Sequence, residues 1–201
     1  MDFRQVVKKR RMVRNYDGAP VPREAIERII GTARRAPSAG FSQGQVFVVV
    51  TDAGMRVRIS EILSEPDYVA RGFQPWFSRA PVHVVCCVDE EAYRSRYSEA
   101  DKAKAGSPDE WPVPYPFIDA GASLMLMLLA AVDEGLSAGF HGFERDHRPH
   151  LRRLLAIPDE VTPFGLVTIG RAAGEQRPGS RSRGWKPQSQ VIHWECWQDR
   201  A

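Results

Sequence analysis

Two groups of arginines, near opposite ends of the sequence, have the residue type and the spacing to bind one anion. They are Arg10, Arg11 and Arg14 in the first group, and Arg181 and Arg183 in the second. Arg10 and Arg14 are four residues apart and would share one face of a helix. Arg181 and Arg183 alternate and would point to the same side of an extended segment. Guanidinium groups bind phosphate bidentately and stay charged at any working pH, so both groups together predict a site for a phosphorylated cofactor.

Length and composition favour one globular domain over residues 1–201. The chain is 43% hydrophobic and 26% charged, and this size is ample for a substantial core. The 28 basic residues against 25 acidic ones leave a formal charge of only +3. A field this weak does not argue for nucleic acid, so the expected partner is a small molecule.

The start of the chain and its cysteines indicate a cytoplasmic location. The first residues are polar and lack the apolar core of a signal peptide, and Cys86, Cys87 and Cys196 form no disulfide-rich pattern. The longest apolar run, 120–132, is too short to cross a bilayer and indicates a buried helix. We therefore expect no membrane association.

The hydrophobic spacing predicts helices interleaved with strands. Helical patterns cover 2–10, 23–35, 55–63, 117–134 and 147–155, and apolar runs predict strands at 46–50, 82–88 and 164–170. The run 46–50 is typical of a strand buried on both faces, whereas 138–143 contains too much glycine for a regular strand. This order predicts an α/β or α+β fold with four or five strands.

Two segments depart from this pattern. Residues 89–116 combine charge, tyrosines and helix breakers and predict a mobile excursion, and residues from about 174 to 201 predict an extended C-terminal tail. Trp111 and Tyr115 in or next to the excursion could stack on a planar substrate or pin the loop to the body. The five scattered histidines show no metal-ligand spacing, so we expect no metal.

The order of several short motifs resembles the FMN-dependent nitroreductase family over nearly the whole chain. A small-residue loop at 37–43 lies between a predicted helix and a strand, where backbone N–H groups can approach a ligand closely. The other motifs follow in family order: Arg10 to Tyr16, Asp119-Ala120-Gly121, Gly135-Leu136, Gly142-Phe143, Ile169-Gly170, Arg181 to Arg183, Lys186-Pro187 and Val191-Ile192-His193. Their collinear order, rather than any one motif, carries the resemblance.

The resemblance implies an α+β fold of the nitroreductase type. This fold is a three-layer sandwich with a central mixed sheet of four to five strands flanked by helices, in a domain-swapped homodimer. FMN would lie non-covalently in a cleft at the subunit interface. The apolar helix at 117–134 fits that expectation, since a helix apolar all round needs cover on every side.

The resemblance also implies the cofactor ligands by position. They are Arg10, Arg11, Met12, Arg14, Pro37, Ser38, Ala39, Gly40, His141, Gly142, Arg181 and Arg183. The arginines would hold the phosphate, the ribityl chain and the ring edge, with Arg11 contributing mainly backbone. The loop beginning at Pro37 would contact the flavin, and the amide of Gly142 would point at N5.

Two positions depart from the usual family pattern. Met12 stands where many members have serine, and Phe41 stands where many have asparagine. A deazaflavin, or a second flavin used as substrate, therefore stays open as the ligand. Phe41, Trp111 and Tyr115 are the candidate substrate-binding residues.

The activity implied is that of an oxidoreductase in which the flavin carries the chemistry. NADH or NADPH would deliver hydride to N5, and a small planar acceptor such as a nitroaromatic or quinone would then be reduced, in a ping-pong cycle. Arg14 could stabilise negative charge on the reduced ring or form a surface ion pair. His141 could donate to substrate or flavin, or be a polar wall residue.

Three other functions remain compatible with the same motifs. A flavin-fragmenting enzyme and a reductive dehalogenase would share the fold and similar arginines. A non-catalytic protein that sequesters a flavin or deazaflavin would share them too.

Overall fold

The computed structural model describes residues 1–102, 105–174 and 180–197, and it leaves the side chains of Ser180 and Arg181 outside the description. Within these residues the chain forms seven α-helices and four strands. The helices are α1 (Phe3–Lys9), α2 (Arg23–Ala33), α3 (Ala53–Ile62), α4 (Glu65–Ala70), α5 (Glu91–Tyr97), α6 (Tyr115–Asp133) and α7 (His147–Leu155). The strands are β1 (Gln45–Val50), β2 (Val82–Asp89), β3 (Ser137–Gly142) and β4 (Val161–Gly170).

The four strands form one sheet in the order β1-β2-β4-β3, and every pair in it is antiparallel. The prediction of a mixed sheet is therefore wrong, because all four strands pair antiparallel. Among the described residues, parallel pairing occurs at one isolated bridge, between Met12, which lies in no strand, and Ala138 of β3. The chain meets β3 in parallel at that single residue, so no described strand continues from it.

Helices cover both faces of the sheet, which confirms the three-layer α+β architecture. Alternate residues of β2 point to opposite faces, as the pleat of a strand requires. Val84 packs in the core beneath α2 and α6, together with Ile29 and Met127. Val85 packs in the other core, against Ile59 of α3. The sheet is therefore buried between two helical layers.

Two strand predictions were wrong, each for a packing reason. β1 is an edge strand that pairs with β2 alone, and Val49 is 41% exposed, so β1 is not buried on both faces. The glycine-rich segment forms regular β3, paired with β4 from Ser137 to Gly142. Its Gly139 lacks a side chain because the backbone carbonyl of Val13 occupies that space.

The central helix α6 joins the layers. Its residue Ser123 is buried and donates a hydrogen bond to the carbonyl of Ala33 in α2, at 2.7 Å. By length and composition alone α6 could cross a membrane, with a mean hydropathy of 1.7, but it packs against α1, α2 and the sheet. Gly135, at φ 73°, ends the helix as the sequence predicted.

The predicted excursion at 89–116 is partly helical. It contains α5 and short 3-10 turns at Ala100–Lys102 and Pro108–Glu110, and an ion pair of 3.0 Å joins Arg94 to Asp109 across it. In the tail, 3-10 turns span Ser180–Arg183 and Gln188–Gln190.

Candidate cofactor site

The first arginine group does not lie on a helix, contrary to the i,i+4 expectation. Arg10 caps the C-terminus of α1, and the following residues are held as an extended segment by bridges at Met12 and Tyr16. Residues two apart in an extended segment point to the same side. Strand-like alternation, rather than a helix face, would place Arg10, Met12 and Arg14 on one side.

Buried contacts fix this segment to the sheet. Val13 donates its N–H to the carbonyl of Ala138 at 3.0 Å. The hydroxyl of Tyr16, which is fully buried, lies 3.0 Å from the carbonyl of Val13 and 2.9 Å from the hydroxyl of Thr168. Arg11 instead folds back and donates to the carbonyls of Lys8 and Arg10. Its guanidinium is thereby occupied by backbone oxygens beside α1.

Arg14 and His141, the two candidate catalytic side chains, meet at one aromatic residue. The guanidinium of Arg14 lies 5.4 Å from the ring centre of Trp76, within the range of a cation–π contact. The His141 ring stands edge-on to Trp76 at 6.1 Å and to Phe77 at 5.1 Å. Trp76 and Phe77 are buried and form an aromatic wall for the other two side chains.

The surroundings of His141 lower the pKa of its imidazole. Burial, the neighbouring His147 and the charge on Arg14 all lower the pKa of His141, with burial the largest cause. Its Nε2 atom is buried and has no hydrogen-bond partner among the described residues. A buried imidazole nitrogen without a partner can receive a polar group of a ligand. Gly142 beside it is exposed, with open space where a side chain would be.

The loop at 37–43 is braced by three residues from two helices, α5 and α6. Ala39 donates its N–H to Asp119 of α6 at 2.9 Å, and the hydroxyl of Tyr93 in α5 donates to the same carboxylate oxygen at 3.0 Å. Arg96 donates to the carbonyl of Gly40 at 2.9 Å. Burial and the negative charge of Asp119 raise the pKa of Tyr93, so its hydroxyl keeps the proton that it donates.

Within this loop, Ser38 accepts a hydrogen bond from the N–H of Gln43 at 2.9 Å, and Pro37 offers its carbonyl to the side chain of Gln45 at 3.3 Å. Phe41 is 73% exposed at φ 60°. The loop therefore has a fixed backbone and presents Phe41 outwards.

Trp111 and Tyr115 lie in an aromatic cluster joined to α5. The ring of Trp111 stands edge-on to Tyr97 at 4.8 Å and to Tyr115 at 5.2 Å. Trp111 also lines a surface cavity of about 320 Å³, together with Arg94 and Asp109. These ring contacts join residues of the excursion to one another, and the two roles considered for Trp111 and Tyr115 stay predictions.

The second arginine group is not extended in the structure. Residues 180–183 form a 3-10 turn, because consecutive i to i+3 contacts replace the alternation that the sequence suggested. Arg183 is exposed, and the side chain of Arg181 lies outside the described residues. The structure thus brings Arg14 of the first group close to His141, and the convergence of the two groups stays a prediction.

Trp76 was the site residue that sequence reasoning missed. Its role depends on the long-range approach of three segments, at residues 14, 76 and 141, that have no fixed spacing. No local pattern could have selected it over Phe73 or Phe77.

The fold and the site together define a three-layer α+β protein with a cationic, aromatic-walled site beside an open sheet end. Comparison with known proteins agrees. The nitroreductase family model matches residues 7–171. The chain is 30% identical over 199 residues to a "Putative NADH dehydrogenase/NAD(P)H nitroreductase" from Methanothermobacter thermautotrophicus, covering 98% of this chain and 88% of the relative.

A relative and a solved structure from Bacillus subtilis are also similar. The "FMN reductase [NAD(P)H]" is 28% identical over 93% of this chain and 71% of its own length. The solved structure described as the hypothetical oxidoreductase YcnD superposes with a TM-score of 0.74 at 27% identity, over 98% of this chain and 74% of that chain. The chain therefore belongs to the nitroreductase family.

Proposed function

We propose that this protein is an FMN-dependent oxidoreductase that takes electrons from NADH or NADPH and passes them to a small planar acceptor. Family membership and the NAD(P)H-linked names of its relatives make it an NAD(P)H-dependent flavin oxidoreductase in general terms. In finer detail, we propose a ping-pong order, in which the donor and the acceptor use the same face of the flavin in turn. The proposed acceptors are nitroaromatics or quinones.

The observation that carries this proposal is the meeting of Arg14, Trp76 and His141 next to Gly142. These residues fit FMN by their chemistry. Arg14 supplies a fixed positive charge, the unpartnered Nε2 of His141 supplies a polar contact, and the open space at Gly142 admits a ligand to the backbone. FMN, when bound, supplies the centre that accepts and donates hydride.

Each of these residues has a separate task. Arg10 and Arg14, on one side of the extended segment, would bind the phosphate, the ribityl chain and the ring edge. Arg14 would also stabilise negative charge where it develops, because a fixed cation near a reacting group needs no reorganisation. The Trp76 ring orients the Arg14 guanidinium and excludes water from one of its faces.

Neutral His141 would act as a hydrogen-bonding group rather than as a cation. Its lowered pKa keeps the imidazole uncharged at neutral pH, so it can offer either a donor or an acceptor to the ligand without adding charge. The braced loop from Pro37 to Gly40 would form the facing wall. Arg181 and Arg183 remain proposed phosphate ligands, and Phe41, Trp111 and Tyr115 proposed acceptor contacts.

We further propose a homodimer with the cofactor at its interface. Exposed apolar side chains favour it: Phe3 of α1 is 72% exposed and Ile118 of α6 is 53% exposed, on helices that pack together. In the tail, Trp185 is 86% exposed, and Val191, Trp194 and Trp197 are exposed as well. Large exposed apolar patches are typical of interaction surfaces, so a swapped tail would cover them.

The decisive experiment is to purify the protein, record its visible spectrum after adding FMN, and add NADH or NADPH without oxygen. We expect a bound-flavin spectrum and rapid bleaching by at least one donor, followed by recovery when a quinone or nitroaromatic is added. A flavin-bound protein that resists both donors would support sequestration instead. A protein that takes up no FMN would contradict the proposal.

A further inference from the structure

Glu65 is a buried carboxylate at the start of α4, outside the groups assigned to the site. It is 4% exposed. Its Oε1 accepts the backbone N–H groups of Trp76 and Phe77, both at 2.6 Å, and its Oε2 accepts that of Ser78 at 3.1 Å. A buried carboxylate is costly unless such donors satisfy it. Three consecutive amides therefore converge on one side chain.

Two further polar side chains hold the carbonyl side of the same turn. Arg56 donates to the carbonyl of Ala80 at 2.6 Å, and His83 contacts the carbonyl of Phe77 at 2.7 Å. The turn at 76–80 is thus fixed through its amides by Glu65 and through its carbonyls by the other two. A loop that only connected α4 to β2 would not need three polar side chains to fix its backbone.

The anchored turn carries the aromatic wall of the site. Trp76 underlies Arg14, and Trp76 and Phe77 both stand edge-on to His141. Any shift of the turn would move that wall. Among the described residues Glu65 makes no hydrogen bond to Arg14 or His141, and it is joined to them through the turn.

We propose that Glu65 is a positioning residue of the cofactor site, whose carboxylate fixes the Trp76–Phe77 wall against which Arg14 and His141 rest. The proposal rests on the proposed function for its consequence on FMN. Hydrogen bonds to a charged acceptor are about twice as strong as neutral ones, which suits the carboxylate to this task.

The test separates position from charge with two variants, Glu65→Asp and Glu65→Gln. Asp keeps the charge but is one methylene too short to reach all three amides. Gln keeps the length and loses the charge. The main measurement is the titration of His141 by NMR in the protein without FMN, with His141→Gln to assign the signal.

We expect Glu65→Asp to raise the pKa of His141 towards the usual histidine value, because burial against the wall is the largest cause of its depression. Glu65→Gln should raise it less, since its oxygen can still accept two of the amides. The other charged or titratable groups acting on this ring are Arg14, His147 and Glu144. With FMN, we expect dissociation constants about tenfold higher for Asp and about threefold higher for Gln.

A purely electrostatic role would leave the Asp variant unchanged and lower the pKa of His141 in the Gln variant, and that pattern would overturn the proposal. If the Asp variant fails to fold, a Gln variant with unaltered His141 titration and FMN affinity would overturn it equally. Glu61→Gln, an exposed carboxylate of α3, is the matched control and should change neither quantity. If the protein binds no FMN at all, the proposed function fails, but the His141 titration still decides the role of Glu65.

Discussion

At the scale of single residues, the site combines a fixed cation with a neutral imidazole. Arg14 stays charged because arginine does so in all protein environments, and its charge helps to keep His141 uncharged. The two side chains were candidates from the sequence, and the structure shows that they share Trp76 as a neighbour. Their chemistry is therefore coupled, and each can be tested by substitution.

Replacing Arg14 should weaken FMN binding. Arg14→Ala removes a charge-assisted contact, and we expect the FMN dissociation constant to rise by roughly 10- to 100-fold. Arg14→Lys should lie between, because lysine keeps the charge but loses the planar fork. Flavin fluorescence titration measures the effect, and Arg4→Ala, an exposed arginine of α1, is the control. Equal affinities for Arg14→Ala and Arg4→Ala would contradict the role.

The buried His83 should make the fold sensitive to acid. Burial lowers the pKa of His83 to about 4, below the usual value of about 6.5, so the unfolded chain binds a proton over this interval that the folded chain does not. The contribution of neutral His83 to the free energy of unfolding is fully present above pH 6.5 and decreases as the pH falls towards 4. We expect a loss of roughly 2 to 3 kcal/mol from this residue between pH 7 and pH 4.5.

Urea unfolding at the two pH values measures this loss. His83→Gln should flatten the pH dependence by that amount, whatever its own cost at pH 7. The exposed His150→Gln is the control and should keep the wild-type slope. A His83→Gln protein with an unchanged slope would show that another group is responsible.

At the scale of elements, the site depends on loops held by helices. The loop at 37–43 is fixed by α5 and α6, and the turn at 76–80 is fixed by α4 and β2. The loop at 37–43 packs closely against α5 at Gly40, which has no side chain. Gly40 has φ 60°, and a Cβ atom there would lie 2.8 Å from the ring of Tyr97. The predicted flavin loop and the excursion thus fit together at this residue.

Gly40→Ala should destabilise the protein and weaken FMN binding. The left-handed backbone and the contact with Tyr97 together should cost about 1 to 3 kcal/mol of unfolding free energy. Gly31→Ala in α2 is the matched control, because nothing lies within 4 Å of the added Cβ and alanine favours a helix by about 0.5 to 1 kcal/mol. Thermal unfolding of both variants measures the difference, and a stable Gly40→Ala protein would refute the strained fit.

At the scale of the whole molecule, apolar surface remains exposed on one helical layer and on the tail. Phe3, Val7, Ile118 and Met125 are exposed on α1 and α6, whereas the opposite layer, α3 and α7, encloses the core at Ile59 and Leu151. The described chain therefore carries a surface that a second copy would cover, as proposed above.

If the proposed dimer uses this surface, Ile118→Glu should yield a monomer and release FMN, because a charge would have to be buried at the interface. Light scattering coupled to gel filtration measures the mass, and the visible spectrum measures the flavin. Val57→Glu on α3 is the control, since Val57 is similarly exposed but lies on the other layer. A dimeric, flavin-bound Ile118→Glu protein would place the interface elsewhere.

The elements with strong local signals were predictable from sequence, and those that depend on distant neighbours were not. The spacing of apolar residues located α2, α6, α7 and the strand β2, with boundaries within a few residues. The short α4 carried no such signal. The contiguous apolar residues of β1 indicated a fully buried strand. Its position at the sheet edge depends on which strands pair with it, and the local sequence does not show that.

For the site, the sequence supplied the residue types and the family, and the tertiary structure decided which of them meet. Motif order was enough to indicate Arg10, Arg14 and the His141–Gly142 pair, because each motif is local. Only the folded chain brings Trp76 beneath Arg14 and turns the arginine segment from a helix face into an extended one. Such contacts join residues far apart in the chain, so they arise from the packing of the whole sheet and its two helical layers.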